Sequence, residues 1–165
     1  MNAIILIGMP NVGKTSIGRI LANNTKKKFI DTDEIILNKA NMTPREIVIQ
    51  KGEEYFLNLQ QEILLKEDIS NSVVSTGGSV VYNKELMSNY AKNGCIVYLN
   101  GKLNELSKRM TKDRKIIGSK SSDFETLYKQ RNILYKKYAT IEIECDNKSF
   151  DDIAKEIEKK VIENG

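Results

Sequence analysis

Short apolar runs alternate along the chain with stretches whose apolar residues recur every third or fourth position. The run at 3–7, AIILI, is continuously apolar, the pattern of a strand buried on both faces. Residues 14–24 then place Ile17, Ile20 and Leu21 at helical spacing. A short strand is predicted at 29–31 and a helix at 34–39. TPRE at 43–46 has the form of a capping box with proline at the first helical position, and opens a helix through about 51. A longer helix at 53–68 carries Phe56, Leu59, Ile63 and Leu64. Strands at 72–76 and 95–99 bracket a helix at 84–92, and another helix is predicted at 103–110. The polar stretch 111–122 reads as a loop, 124–138 as a helix and 151–162 as a closing amphipathic helix. Between the last two, TIEIEC at 140–145 alternates apolar and charged residues, as an edge strand does.

About five strands separated by helices predict an open parallel α/β sheet with helices on both faces. No repeat, low-complexity tract or long linker divides the 165 residues, so they are expected to form one domain, 1–165. With 40% hydrophobic and 29% charged residues, the composition is that of a soluble globular chain with a substantial core. The apolar runs fall far short of a membrane span, and the N-terminus lacks a signal-peptide pattern. Cys95 and Cys145 lie in apolar, strand-like runs and are expected to be small core residues in a reducing, cytoplasmic compartment. The net charge is +4, but the lysines are scattered, with KKK at 26–28 the densest group. That pattern argues against nucleic acid and suits a protein handling small polyanions. Histidine is absent, so any general base must be a carboxylate, lysine, tyrosine or cysteine.

The junction between the first strand and first helix carries the clearest chemistry. Gly8, Gly13, Lys14 and Thr15 satisfy G-x-x-x-x-G-K-[ST], after a strand and before a helix as that motif requires. Glycines there let the backbone turn its N–H groups inward, and the helix adds its positive dipole end. Residues Gly8, Pro10, Asn11, Val12, Gly13, Lys14, Thr15 and Ser16 are the candidate nucleotide-binding set. Lys14 would reach the β- and γ-phosphates and Thr15 would ligate Mg²⁺.

Three classes of protein share such a loop. A GTPase should show D-x-x-G and N-K-x-D; the first is absent, and NKAN at 38–41 lacks the aspartate, which also favours ATP over GTP. A non-kinase ATPase or nucleotide-binding module should carry a hydrophobic strand ending in an acid, whereas SVVSTGG at 72–78 has none. The third class, a small-molecule kinase, fits further features. FIDTDEI at 29–35 ends a strand with Asp31 and Asp33, one to hold Mg²⁺ through water and one to take a hydroxyl proton, unless both simply favour a helix start. STGGS at 75–79 follows another strand, and Gly77 and Gly78 let backbone approach a ligand, or merely turn. Arg109 and Arg114 make the 111–122 region a plausible basic lid, or a solvated loop. Arg131 reads by itself as a surface arginine on an amphipathic helix.

Taken together these residues resemble the shikimate kinases, P-loop proteins of the nucleoside-monophosphate-kinase-like group. The resemblance runs through GMPNVGKTSIGRILA, FIDTDEII, KGEEYF, STGGSVV, an arginine-bearing lid and RNILYKKYA, in order. It implies a three-layer α/β P-loop fold with strand order 2-3-1-4-5, a mobile lid at about 111–122 and an acceptor-binding segment at about 32–62. It implies transfer of the γ-phosphate of ATP to the 3-hydroxyl of shikimate, with Mg²⁺; the chain is expected to act as a monomer. By similarity Thr15 and Asp31 serve the metal. Asp33 binds the acceptor and acts as base, with Lys14 and Arg114 as catalytic cations. Gly77, Gly78 and Arg131 hold the acceptor, Arg131 at its carboxylate, and Arg109 lies along the adenine.

The match breaks on the acceptor side. The family usually has an arginine after the phenylalanine of the GE..F segment and a glutamate three residues later; here stand Leu57 and Gln60. Ser79 replaces the third glycine after STGG, and the lid reads RKIIG where the family favours arginine–proline. The lost arginine normally makes a charge-assisted contact to the acceptor's carboxylate. Either shikimate is bound through Arg131 and other groups, or the chain is a paralogue that phosphorylates a different hydroxyl compound.

Overall fold

A computed structural model describes residues 2–102, 106 and 124–164. The predicted helix at 103–110, the loop 111–122 and the arginines Arg109 and Arg114 lie outside them, Leu106 apart. The described strands are β1 (Ala3–Ile7), β2 (Lys28–Asp31), β3 (Ser72–Ser75), β4 (Gly94–Asn100) and β5 (Ile141–Glu144). The helices are α1 (Lys14–Thr25), α2 (Thr32–Ala40), α3 (Pro44–Lys51), α4 (Glu53–Leu65), α5 (Lys84–Asn93), α6 (Phe124–Tyr138) and α7 (Phe150–Asn164). A 3₁₀ turn, Val80–Tyr82, precedes α5.

All strand pairs are parallel, in the order β2-β3-β1-β4-β5. β1 lies at the centre, between β3 and β4, and each of its five residues is buried. Its continuous apolar run is therefore the signature of a strand covered on both faces. Among the described residues β5 pairs with β4 alone; it buries Ile141 and Ile143 and leaves Glu142 half-buried and Glu144 exposed, which accounts for its alternation. The chain leaves β1 in one direction along the sheet and returns across it to β3, β4 and β5. Right-handed crossovers therefore place α1 on one face and the later crossover helices on the other. α7 then packs against α1.

The capping box is realised at α3. The Thr43 hydroxyl accepts from the Glu46 amide at 3.1 Å, and Glu46 accepts from the Thr43 amide at 3.0 Å. These bonds hold the Glu46 carboxyl below its ordinary pKa. Thr43→Ala should cost about 1 kcal/mol of stability, seen as a lowered melting temperature with nucleotide binding retained.

The cysteines meet expectation in part. Both are free thiols packed against the core, but each is half-buried rather than within it. Cys95 sits at the amino end of β4, where the sheet opens on a cavity of about 290 Å³ lined also by Asn2, Lys27 and Thr140. Cys145 follows β5 instead of lying within it. Burial still raises both thiols, that of Cys145 to about 12, which disfavours the reactive thiolate.

Candidate active site

The carboxyl ends of β1, β2 and β3 open on one crevice, as expected where the chain reverses direction along an α/β sheet. β1 ends at Ile7, and the chain must then turn within six residues into α1. Gly8, Asn11 and Gly13 take φ of 153°, 71° and 108°, values that glycine and, less readily, asparagine accept. Space excludes side chains too: a Cβ on Gly8 would lie 2.7 Å from the Leu99 carbonyl oxygen, and one on Gly13 2.8 Å from the Phe150 ring.

α1 begins on Gly13, which offers no side-chain cap, and its first turn has no acidic residue. By contrast α2 is capped by Asp31 and α3 by Thr43. The first amides of α1 thus face the crevice without a side-chain cap, the arrangement that binds anions. Lys14 is buried by its own loop, at 8% exposure; its ammonium donates to the carbonyls of Gly8 at 2.6 Å and Met9 at 2.8 Å. It is thereby folded over the place where the loop's amides converge. Thr15 and Ser16 are exposed at the mouth, and the Thr15 hydroxyl lies 3.4 Å from that of Ser75 at the end of β3.

Asp31 and Asp33, two residues apart, are put to different uses. Asp31 Oδ1 accepts from the amides of Asp33 at 3.0 Å and Glu34 at 3.4 Å, capping α2. Asp33 is exposed, on the first turn of α2, and lines a cleft of about 250 Å³ with Lys14, Thr15, Gly77 and Gly78. Asp31 is outside that lining. Thr32, between them, is buried and its hydroxyl accepts from the Gly77 amide at 3.1 Å, tying β2's end to the glycine loop. A Cβ on Gly77 would lie 2.8 Å from Asp33 Oδ1, so only glycine leaves this carboxylate its position.

Gly78 does the same for Arg131. A Cβ there would meet Arg131 Nη1 at 2.6 Å, Pro10 at 3.2 Å and the Tyr135 hydroxyl at 3.3 Å. Arg131 is not the surface arginine its helix suggested: it is 1% exposed. Its Nε donates to the Tyr82 hydroxyl at 3.4 Å, and its guanidinium carbon lies 5.5 Å from the centre of the Tyr82 ring. Tyr135, one turn further along α6, donates to the Gly78 carbonyl at 2.7 Å. Burial pushes the Tyr135 phenol up to about 12, with Arg131 opposing, so it remains a donor at any physiological pH. The sequence places Arg131 and Tyr135 four apart on one helical face, and that spacing was the available signal for Tyr135. Tyr82, Ser75 and Phe150 reach the site through contacts distant in sequence and gave no such signal.

Three of the positions that break the expected pattern, 57, 60 and 79, are neighbours in space. Gln60 is fully buried; its Nε2 donates to Asn83 Oδ1 at 2.8 Å and to the Ser79 hydroxyl at 3.5 Å. Asn83 Nδ2 in turn donates to the Leu57 carbonyl at 3.1 Å. Gln60 Oε1 is buried without a hydrogen-bond partner among the described residues. With leucine at position 57, a glutamate at position 60 would be a buried charge lacking its cation. The amide avoids that cost and bonds the turn instead.

A phosphate loop joined through Asp33 to a glycine loop and a buried arginine, on a parallel sheet of this order, defines a P-loop phosphotransferase with a small-molecule acceptor. A family model described as shikimate kinase matches residues 10–162, and the chain belongs to that family. It is 35% identical to a shikimate kinase of Sulfurihydrogenibium sp. over 98% of each chain. It is 40% identical to one from Clostridium botulinum (strain Langeland) over 86% of each. The fold is similar to that of a shikimate kinase from Acinetobacter baumannii solved in complex with shikimate, with TM-score 0.90 and 26% identity, covering 99% of this chain and 94% of that one.

Proposed function

We propose that this chain acts as one domain that transfers the γ-phosphoryl group of ATP to the 3-hydroxyl of shikimate. The observation that carries the reading is the shared cleft in which Lys14 and Thr15 of the phosphate loop face Asp33, Gly77 and Gly78. Donor and acceptor sites that share one wall can align a hydroxyl with a phosphate without a large rearrangement.

The amides of the 8–15 loop and the start of α1 hold the phosphates, and Lys14 exchanges its two carbonyl partners for phosphate oxygens. The Thr15 hydroxyl and the Asp31 carboxylate are oxygen donors suited to Mg²⁺, which neutralises phosphate charge. Asp33 orients the acceptor hydroxyl and takes its proton. Arg131 holds the acceptor's carboxylate behind Gly78. Arg114 acts on the phosphoryl group and Arg109 along the adenine, as the family resemblance implies. Among the described residues no helix is long and apolar enough to cross a membrane, and we place the enzyme in the cytoplasm as a monomer without nucleic-acid partners. Product from shikimate should show one phosphate monoester on the 3-hydroxyl by ³¹P NMR; phosphorylation elsewhere on the ring would refute the assigned acceptor geometry.

Leu57 makes the acceptor pocket less basic than the family resemblance expects. It is half-buried and lines, with Tyr82 and Asn83, an open cleft of about 640 Å³. A hydrogen bond to a charged group contributes roughly 1.5–3 kcal/mol. Leu57→Arg should therefore lower the KM for shikimate about 10-fold and leave the KM for ATP unaltered. An unchanged or higher shikimate KM would show that the carboxylate does not lie near this position.

A further inference from the structure

We propose that Tyr82 is a ligand of the acceptor's carboxylate, supplying beside Arg131 the donor that Leu57 cannot. The inference rests on the shikimate reading and deepens it.

The phenol is held from several sides. Tyr82 ends the 3₁₀ turn that follows the glycine loop, and its amide donates to the Ser79 carbonyl at 3.0 Å. The next residue, Asn83, is pinned to Gln60 and to the Leu57 carbonyl. The Gln60 side chain and the backbone carbonyls of Leu57 and Ser79, all at positions that depart from the family pattern, thus support this turn. On its far side the ring lies against the Arg131 guanidinium, whose Nε donates to the phenol oxygen. A hydroxyl that accepts from a cation directs its own proton away from that cation. The Tyr82 proton therefore points off Arg131, and the guanidinium polarises it toward an anion.

Access favours the phenol. Arg131 is almost wholly buried, whereas Tyr82 is half-buried and lines the cleft that Leu57 also borders. An arriving carboxylate meets the tyrosine hydroxyl before the arginine. The same lining carries Glu53, Glu54 and Glu85 against Lys84. That balance repels a carboxylate from those side chains and leaves Tyr82, which borders the cleft and is backed by Arg131, as the seat for the anion. A neutral phenol set against a buried guanidinium gives one charge and two kinds of donor, where the family pattern expects two arginines.

The test is Tyr82→Phe, which keeps the ring over Arg131 and removes only the hydroxyl. Its melting temperature and its KM for ATP check that the fold and the nucleotide site are intact. The KM for shikimate should rise about 10-fold, the loss being carried by KM rather than kcat. Shikimate carboxamide supplies a second readout. The wild-type preference for the acid over the amide should shrink in the variant, which a general loosening of the turn would not produce. A shikimate KM that is unchanged or lowered would overturn the proposal. The ring would then be a cover that must leave before the carboxylate reaches Arg131. If the wild-type enzyme shows no shikimate-dependent turnover, the substrate reading fails and the tyrosine assignment goes with it. If the wild type turns over shikimate and only the variant's KM is unaltered, the tyrosine assignment alone fails.

Discussion

Lys14→Ala abolishes phosphoryl transfer: kcat is expected to fall about 10³-fold or more, because no other cation among the described residues lines the phosphate cleft. The chain has no histidine and Arg131 is engaged behind Gly78, so among the described residues neither type of side chain offers a substitute charge. The fold should survive. The Lys14 ammonium bonds carbonyls of its own loop, at the edge of the crevice rather than within the sheet's core. Rapid-quench single turnovers at saturating Mg·ATP and shikimate would separate lost chemistry from lost binding. A variant retaining a tenth of wild-type turnover would remove Lys14 from the catalytic role.

Asp33→Asn is expected to cut kcat by about 10²- to 10⁴-fold while the affinity for Mg·ATP stays within a few-fold of wild type. The amide keeps the size and a hydrogen-bonding oxygen, so Gly77 still fits beside it, but it cannot accept the hydroxyl proton. Asp31 cannot take over, because it lies outside the cleft that Asp33 lines. Steady-state rates measured beside nucleotide titrations decide the matter. Normal turnover in Asp33→Asn would eliminate the base assignment, and a matched loss of nucleotide affinity would move Asp33 to the phosphate side.

What could be read from the sequence was what depends on local geometry. The phosphate loop is legible because glycine suits the backbone angles at positions 8 and 13 and because strand, loop and helix are contiguous. The α3 capping box is equally local. The parallel sheet followed from strand–helix alternation, with element ends shifted by one to three residues, as at α4, which stops at Leu65 rather than 68. The two aspartates were ambiguous because a helix cap and a metal or acceptor ligand use the same residue type at the same place. The structure shows Asp31 capping and Asp33 lining the cleft.

Arg131 was illegible by itself. Its polar neighbours on α6 made it look like a surface residue, and its burial depends on Gly78 and Tyr82 meeting it from outside the local pattern. The cysteines misled for a related reason. Each follows or begins an apolar run, but at a strand end, where it is half-buried. The departures at Leu57, Gln60 and Ser79 were visible one at a time. That they form one neutral, hydrogen-bonded set supporting Tyr82 needed three-dimensional contacts.

The decisive experiment is ADP release from Mg·ATP, followed with and without shikimate on the purified wild-type enzyme. ADP release should depend on shikimate and saturate with it, despite the leucine at position 57. Tight ATP binding with no shikimate-dependent ADP release would contradict the shikimate assignment and give the cleft to a different hydroxyl acceptor.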